Sequence, residues 1–144
     1  NMVSYNKVHF IHNTLGYSKF DYIGNSYQDL PVWNYSENVI YTNVEEYAKW
    51  VKSLWSHRFI SPAMQKRAWS STKLDNGTTI DYGYGWHVED FMGNTHPYHD
   101  GSTIGFRNSA GLYPDKKLMV VILTNRNEHD PIEEVHKIAM LFLK

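Results

Sequence analysis

The 144-residue sequence contains no cysteine, which excludes disulfides, thiolate-ligated zinc and thiol nucleophiles and leaves the redox compartment open. It also lacks a charge bias. Fourteen Lys and Arg stand against 15 Asp and Glu, for a formal net charge of −1, and no basic block could follow a phosphate backbone, so nucleic acid is not an expected partner. No run of about 18 apolar residues could cross a membrane, and neither a charged n-region nor an apolar h-region of a signal peptide is visible. Internal repeats and low-complexity stretches are absent. Aromatic residues are abundant at 15%, including 11 Tyr and 5 Trp, which suits a ring-lined cleft or an additional interface. With 42% hydrophobic residues, the length fits one domain with a real core.

Residues 1–41 show no sustained period and read as irregular structure with at most short extended pieces. From Thr42 the pattern turns helical. Thr42 or Asn43 can cap, Glu45 and Glu46 suit the first turn, and Val44, Tyr47, Val51, Leu54 and Trp55 recur at helical spacing to about His57. A second helix starts at Ser61-Pro62 and carries Met64, Ala68 and Trp69 before the loop at Asp75-Asn76-Gly77, so 42–74 is the helical segment. Residues 78–126 read as antiparallel strands: Tyr82 to Phe91, His96 to Ser102, Phe106 to Tyr113 and Leu118 to Asn125. The last of these is apolar on both faces, which predicts a central strand covered on each side. After Asp130-Pro131, a helix over 131–144 places Ile132, Val135, Ile138, Ala139 and Phe142 on one stripe. The expected class is α+β, an antiparallel sheet packed with helices.

The stretch "YHDGSTIGF" (Tyr98–Phe106) puts an imidazole, a carboxylate, a glycine and two hydroxyls where a sheet should be most regular. "YGYGW" (Tyr82–Trp86), "HDGSTIGF" (His99–Phe106), "LYPDKKLMVVILTNRN" (Leu112–Asn127) and a closing helix follow in order. Together with "NTLGY" (Asn13–Tyr17) and "VIYTNVEEYAKWV" (Val39–Val51), this series resembles the C-terminal half of the serine β-lactamase superfamily, in particular class C β-lactamases and the related D-alanyl-D-alanine carboxypeptidases and esterases. The resemblance covers nearly the whole chain and implies an incomplete β-lactamase/transpeptidase-like fold. It further implies that His99 replaces the lysine of a Lys-Thr-Gly strand, orienting substrate and aiding proton transfer. Gly101 lets a substrate backbone lie against that strand. The N–H of Ser102 matches an oxyanion-hole donor. Asp100 and Thr103 on the strand, with Arg107 and Asn125, are the expected substrate-binding residues. Asp100 departs from the family, which often has a hydroxyl residue there, and its carboxylate would repel an acidic substrate. Family members often work outside the cytoplasmic membrane.

The chemistry implied by the resemblance needs a Ser-x-x-Lys nucleophile at a helix start and a facing Tyr-x-Asn loop. Ser4-Tyr5-Asn6-Lys7, Ser70-Ser71-Thr72-Lys73 and Tyr41-Thr42-Asn43 match literally. With 11 Ser and 10 Lys, however, chance alone supplies about one Ser-x-x-Lys, and all three are misplaced relative to the other motifs. The expectation is a C-terminal part of a longer hydrolase that is inactive alone and has an open sheet edge through which copies associate. The alternatives are a non-enzymatic binding or interaction module with a remnant of this fold, and a small hydrolase built on Ser4 and Lys7. No cofactor is expected.

Several residues also carry plainer readings. His9-x-x-His12 and His96-x-x-His99, perhaps joined by Asp100 or His129, suggest zinc, but strand residues three apart face opposite sides, so no metal is expected. His99 as an ordinary sheet histidine, Tyr82 and Trp86 as core, Asn125 and Asn127 as turn residues, and Arg107 as a solvated charge are the structural alternatives.

Overall fold

The computed structural model describes residues 16–17, 22–24, 42–103, 106–126, 128 and 130–144. Two short strands, β1 (Gly16–Tyr17) and β2 (Tyr22–Gly24), pair antiparallel. Helix α1 (Val44–Trp55) starts where Asn43 Oδ1 accepts the Glu46 N–H, and α2 (Pro62–Ala68) where Ser61 Oγ accepts the Met64 N–H. Two-residue strands β3 (Thr72–Lys73) and β4 (Thr79–Ile80) form a hairpin. The four-stranded antiparallel sheet follows in chain order: β5 (His87–Phe91), β6 (Asn94–Thr103), β7 (Phe106–Tyr113) and β8 (Leu118–Thr124). Helix α3 (Pro131–Ala139) closes the fold and is capped by Asp130. The class is α+β, as expected.

Two helices sandwich the sheet. Tyr113, Leu118, Val120 and Ile122 pack with Val135, Ala139 and Leu143 of the C-terminal segment, while Leu112 and Met119 pack with Val51 and Leu54 of α1 and with Trp86. Consecutive residues thus go to opposite clusters, the period of two that a strand imposes. Strand β8 is covered on each face, which accounts for its unbroken apolar run, and among the described residues it stands last in the four-stranded sheet, where a central place was expected.

Two further expectations are corrected. The strand foreseen from Tyr82 begins at His87, and Tyr82 only bridges to it. Gly83 is pressed on the end of α2, where an added Cβ would stand 2.0 Å from the Ala68 carbonyl oxygen, and Gly85 has φ +77°, so the chain turns before it can pair. The last helix stops at Ala139. Beyond it the chain runs in turns, Phe142 is exposed at 64%, and Leu143 fills the core position expected of the stripe.

Candidate functional site

The register of β6 defines the site. Its partner β5 pairs from Asn94 up to Tyr98, opposite His87, whereas β7 continues to pair with β6 as far as Thr103. Residues 99–103 therefore overhang β5 and, among the described residues, have a strand neighbour on one side only. This unpaired edge is the "HDGST" stretch, so its unusual composition falls where the sheet stops being a two-sided ladder.

Alternation separates its side chains. His99 and Gly101 line a cleft of about 490 Å³ together with Tyr47 and Trp50 of α1, Tyr84 and Trp86 of the preceding turn, and Asn108 of β7. Trp50 stacks on Trp86 at 5.8 Å and 9°, and Tyr47 meets Trp50 edge-on. Burial pushes the Tyr47 hydroxyl up to about 12. The aromatic excess of the composition thus builds a ring-lined cleft. Tyr82 Oη lies 3.3 Å from His99 Nε2, and the His87 ring stands 6.0 Å from that of His99.

A second cleft, of about 300 Å³, meets the first along Asp100, Gly101 and Asn108 and is lined further by Ser102, Arg107, Glu128 and Asp130. Each of its acids has one neighbour, although Glu128 Oε1 is buried without a hydrogen-bond partner. Glu128 accepts from Arg126 at 3.0 Å, Asp130 Oδ1 accepts the Ile132 N–H, and Asp100 Oδ1 lies 3.9 Å from His87 Nε2. The structure thus brings His99, Asp100, Gly101, Ser102 and Arg107 together around one strand end. Asn125 follows β8, whose Thr124 is paired with Arg107. Of Thr103 only the backbone pairing with Phe106 is described.

Of the nucleophile candidates only Ser70 lies among the described residues, and it does not join this cluster. Ser70 follows the C-terminus of α2, where its hydroxyl donates to the Lys66 carbonyl at 2.6 Å, the wrong end of a helix for an activated serine. Asn43 of the Tyr-x-Asn match caps α1. Ser4, Lys7, His9, His12, Tyr41, Asn127 and His129 lie outside the described residues. Sequence reasoning missed Tyr47, Trp50 and Asn108 as cleft residues and assigned Tyr82 and Trp86 to the core. Trp86 is both core and cleft wall. The exposed Trp50 on an otherwise amphipathic helix was the available signal.

An antiparallel sheet sandwiched by helices thus carries a His-x-Gly strand that extends past its β5 partner beside an aromatic cleft. The Beta-lactamase family model matches residues 13–143, and the chain belongs to that family. It is also similar to Penicillin-binding protein 4* of Bacillus subtilis (strain 168), with 31% identity over 84 residues, 58% of this chain and 19% of that relative. The matched stretch thus spans about a fifth of the relative's length.

Proposed function

We propose that this chain forms the substrate-binding wall of a serine acyl-transfer hydrolase whose nucleophile belongs to another part of the whole protein. The carrying observation is the overhang of residues 99–103 beyond β5, which leaves a strand edge to which an extended acyl substrate can add. Gly101 supports the reading. An added Cβ would meet nothing within 4 Å and φ is not positive, so the chain's own packing gives no reason for glycine, whereas a backbone lying against the strand does.

In this reading His99, steadied by Tyr82, orients the substrate and shares the proton transferred during acylation. Gly101 gives clearance, and the Ser102 N–H donates to the oxyanion that forms when a serine Oγ attacks the carbonyl. Asp100, Thr103, Arg107 and Asn125 set what binds beside it. Arg107, which lines the second cleft beside Asp100 and Ser102, offers the positive charge for a substrate carboxylate. The substrate class is a β-lactam, a D-alanyl peptide or a small ester; the family match and the relative named for penicillin binding support it. The isolated chain is expected to be inactive, because among the described residues no Ser-x-x-Lys opens a helix.

Intact-mass spectrometry after incubation with a penicillin and with a fluorophosphonate tests this. The whole protein should gain one adduct and the chain alone none. A stoichiometric adduct on Ser4 or Ser70 of the chain, or an unlabelled whole protein, would overturn the proposal.

A further inference from the structure

Across the sheet from the aromatic cleft, Glu89 of β5, His96 of β6 and His136 of α3 converge. Glu89 Oε1, His96 Nε2 and His136 Nε2 all lie within 4.8 Å of one another. Glu89 Oε1 is 3.1 Å from His136 Nε2 and 3.9 Å from His96 Nε2. All three atoms are screened from solvent and none has a hydrogen-bond partner. The 3.1 Å separation is short enough for a hydrogen bond, so it is the alignment that fails. Buried polar atoms left in this state are costly and rare, and three around one point call for a physical reason.

His96 shows what that reason is. It is fully buried, and its Nδ1 lies 3.0 Å from the Leu112 carbonyl. A carbonyl can only accept, so Nδ1 carries the proton and Nε2 turns a lone pair toward Glu89 and His136. Fixing one ring nitrogen on a carbonyl is the way a ligating histidine is oriented. Tyr113 stacks on His96 at 4.4 Å and Phe91 on His136 at 4.2 Å, so rings hold both imidazoles in place. The Tyr113 hydroxyl is likewise buried without a hydrogen-bond partner.

We propose that Glu89, His96 and His136 bind one divalent transition-metal ion of the zinc type, which fastens α3 to β5 and β6. Two imidazoles and one carboxylate are a donor set for such a borderline ion, and they exclude the all-oxygen preference of calcium or magnesium. Tetrahedral binding at about 2.1 Å brings ligand atoms to roughly 3.4 Å apart, so the widest separation must close by about 1.4 Å. Glu89 and His136 have side chains 38% and 25% exposed and can make that movement, while His96 stays fixed. With three protein ligands the fourth tetrahedral position falls to a water, and His99, three residues along the same strand, faces the other way, so the ion stands apart from the aromatic cleft.

The test uses the full 144-residue chain stripped with EDTA and titrated with zinc chloride by calorimetry. One equivalent should bind with a Kd in the micromolar range or tighter, and saturating zinc should raise Tm by about 5 °C. Cobalt(II) should give the strong visible absorption of a tetrahedral site. Glu89→Gln and His136→Gln should each weaken binding at least tenfold, whereas His57→Asn, at an exposed turn, should bind as the parent does. If either glutamine variant fails to fold, nitrogen-15 spectra of the parent decide: zinc must move the Nε2 signals of His96 and His136. No one-equivalent binding, unchanged affinity in the folded variants, or zinc-dependent shifts at other histidines instead would overturn the assignment.

Discussion

The hydroxyl of Tyr82 meets Nε2 of His99 at 3.3 Å, tying the turn that precedes the sheet to the strand that overhangs it. Tyr82 also stands edge-on to His87 at 4.8 Å, so one side chain braces both histidines at the mouth of the cleft. Tyr82→Phe should keep the ring packing and lose the hydrogen bond, lowering stability by about 0.5–1 kcal/mol. In the whole protein it should lower kcat more than it raises KM, because an unbraced His99 still borders the substrate but no longer holds its orientation. Paired melting curves and steady-state kinetics would check this.

Gly101→Val separates fold from function. The added side chain enters open space and β-branched residues suit strands, so stability should change by less than about 1 kcal/mol. Acylation of the whole protein by a penicillin should nevertheless fall by about a hundredfold or more, since the valine occupies the clearance reserved for the substrate backbone. Stopped-flow acylation rates beside denaturant titrations would measure both.

Gly111→Ala should do the reverse. A Cβ there would stand 2.5 Å from His96 Cε1 and 2.6 Å from Val135 Cγ1, both on fully buried side chains. Overpacking of this kind costs about 1–3 kcal/mol. Loss of cooperativity in the near-UV melting transition, centred on α3, is the expected sign.

Tyr47 sets an alkaline limit. Its pKa is raised to about 12 by burial, so the folded protein holds a proton that an unfolded chain releases near 10. The stabilisation this gives is fully present below pH 10 and is lost as the pH rises toward 12. Denaturation midpoints at pH 9 and 11 should fall with pH, and Tyr47→Phe should flatten part of that fall. Tyr113, raised similarly, carries another share.

Local chemistry made much of the fold legible. Asn43, Ser61 and Asp130 cap α1, α2 and α3 as their residue types require, and β7 runs from Phe106 to Tyr113, the bounds that its flanking turn residues mark. What failed depended on contacts far apart in the chain. The apolar run of β8 is explained by α1 on one face and α3 on the other, and hydropathy cannot distinguish that from burial between two strands. Tyr82 reads as a strand residue until Ala68 is known to press on Gly83. The overhanging His99–Ser102 stretch could be singled out because it is contiguous. The Glu89–His96–His136 cluster could not, because His136 approaches only when α3 folds over the sheet, and pairing His96 with His99 by spacing joins two residues on opposite faces.

The most direct measurement of the central claim is a crystal structure of the whole protein acylated by a penicillin. The account predicts the acyl group lying along residues 99–102, its carbonyl oxygen accepting from the Ser102 N–H, its amide chain over Gly101 and His99 within hydrogen-bond reach. An acyl group bound elsewhere, with the edge of β6 left bare, would contradict it.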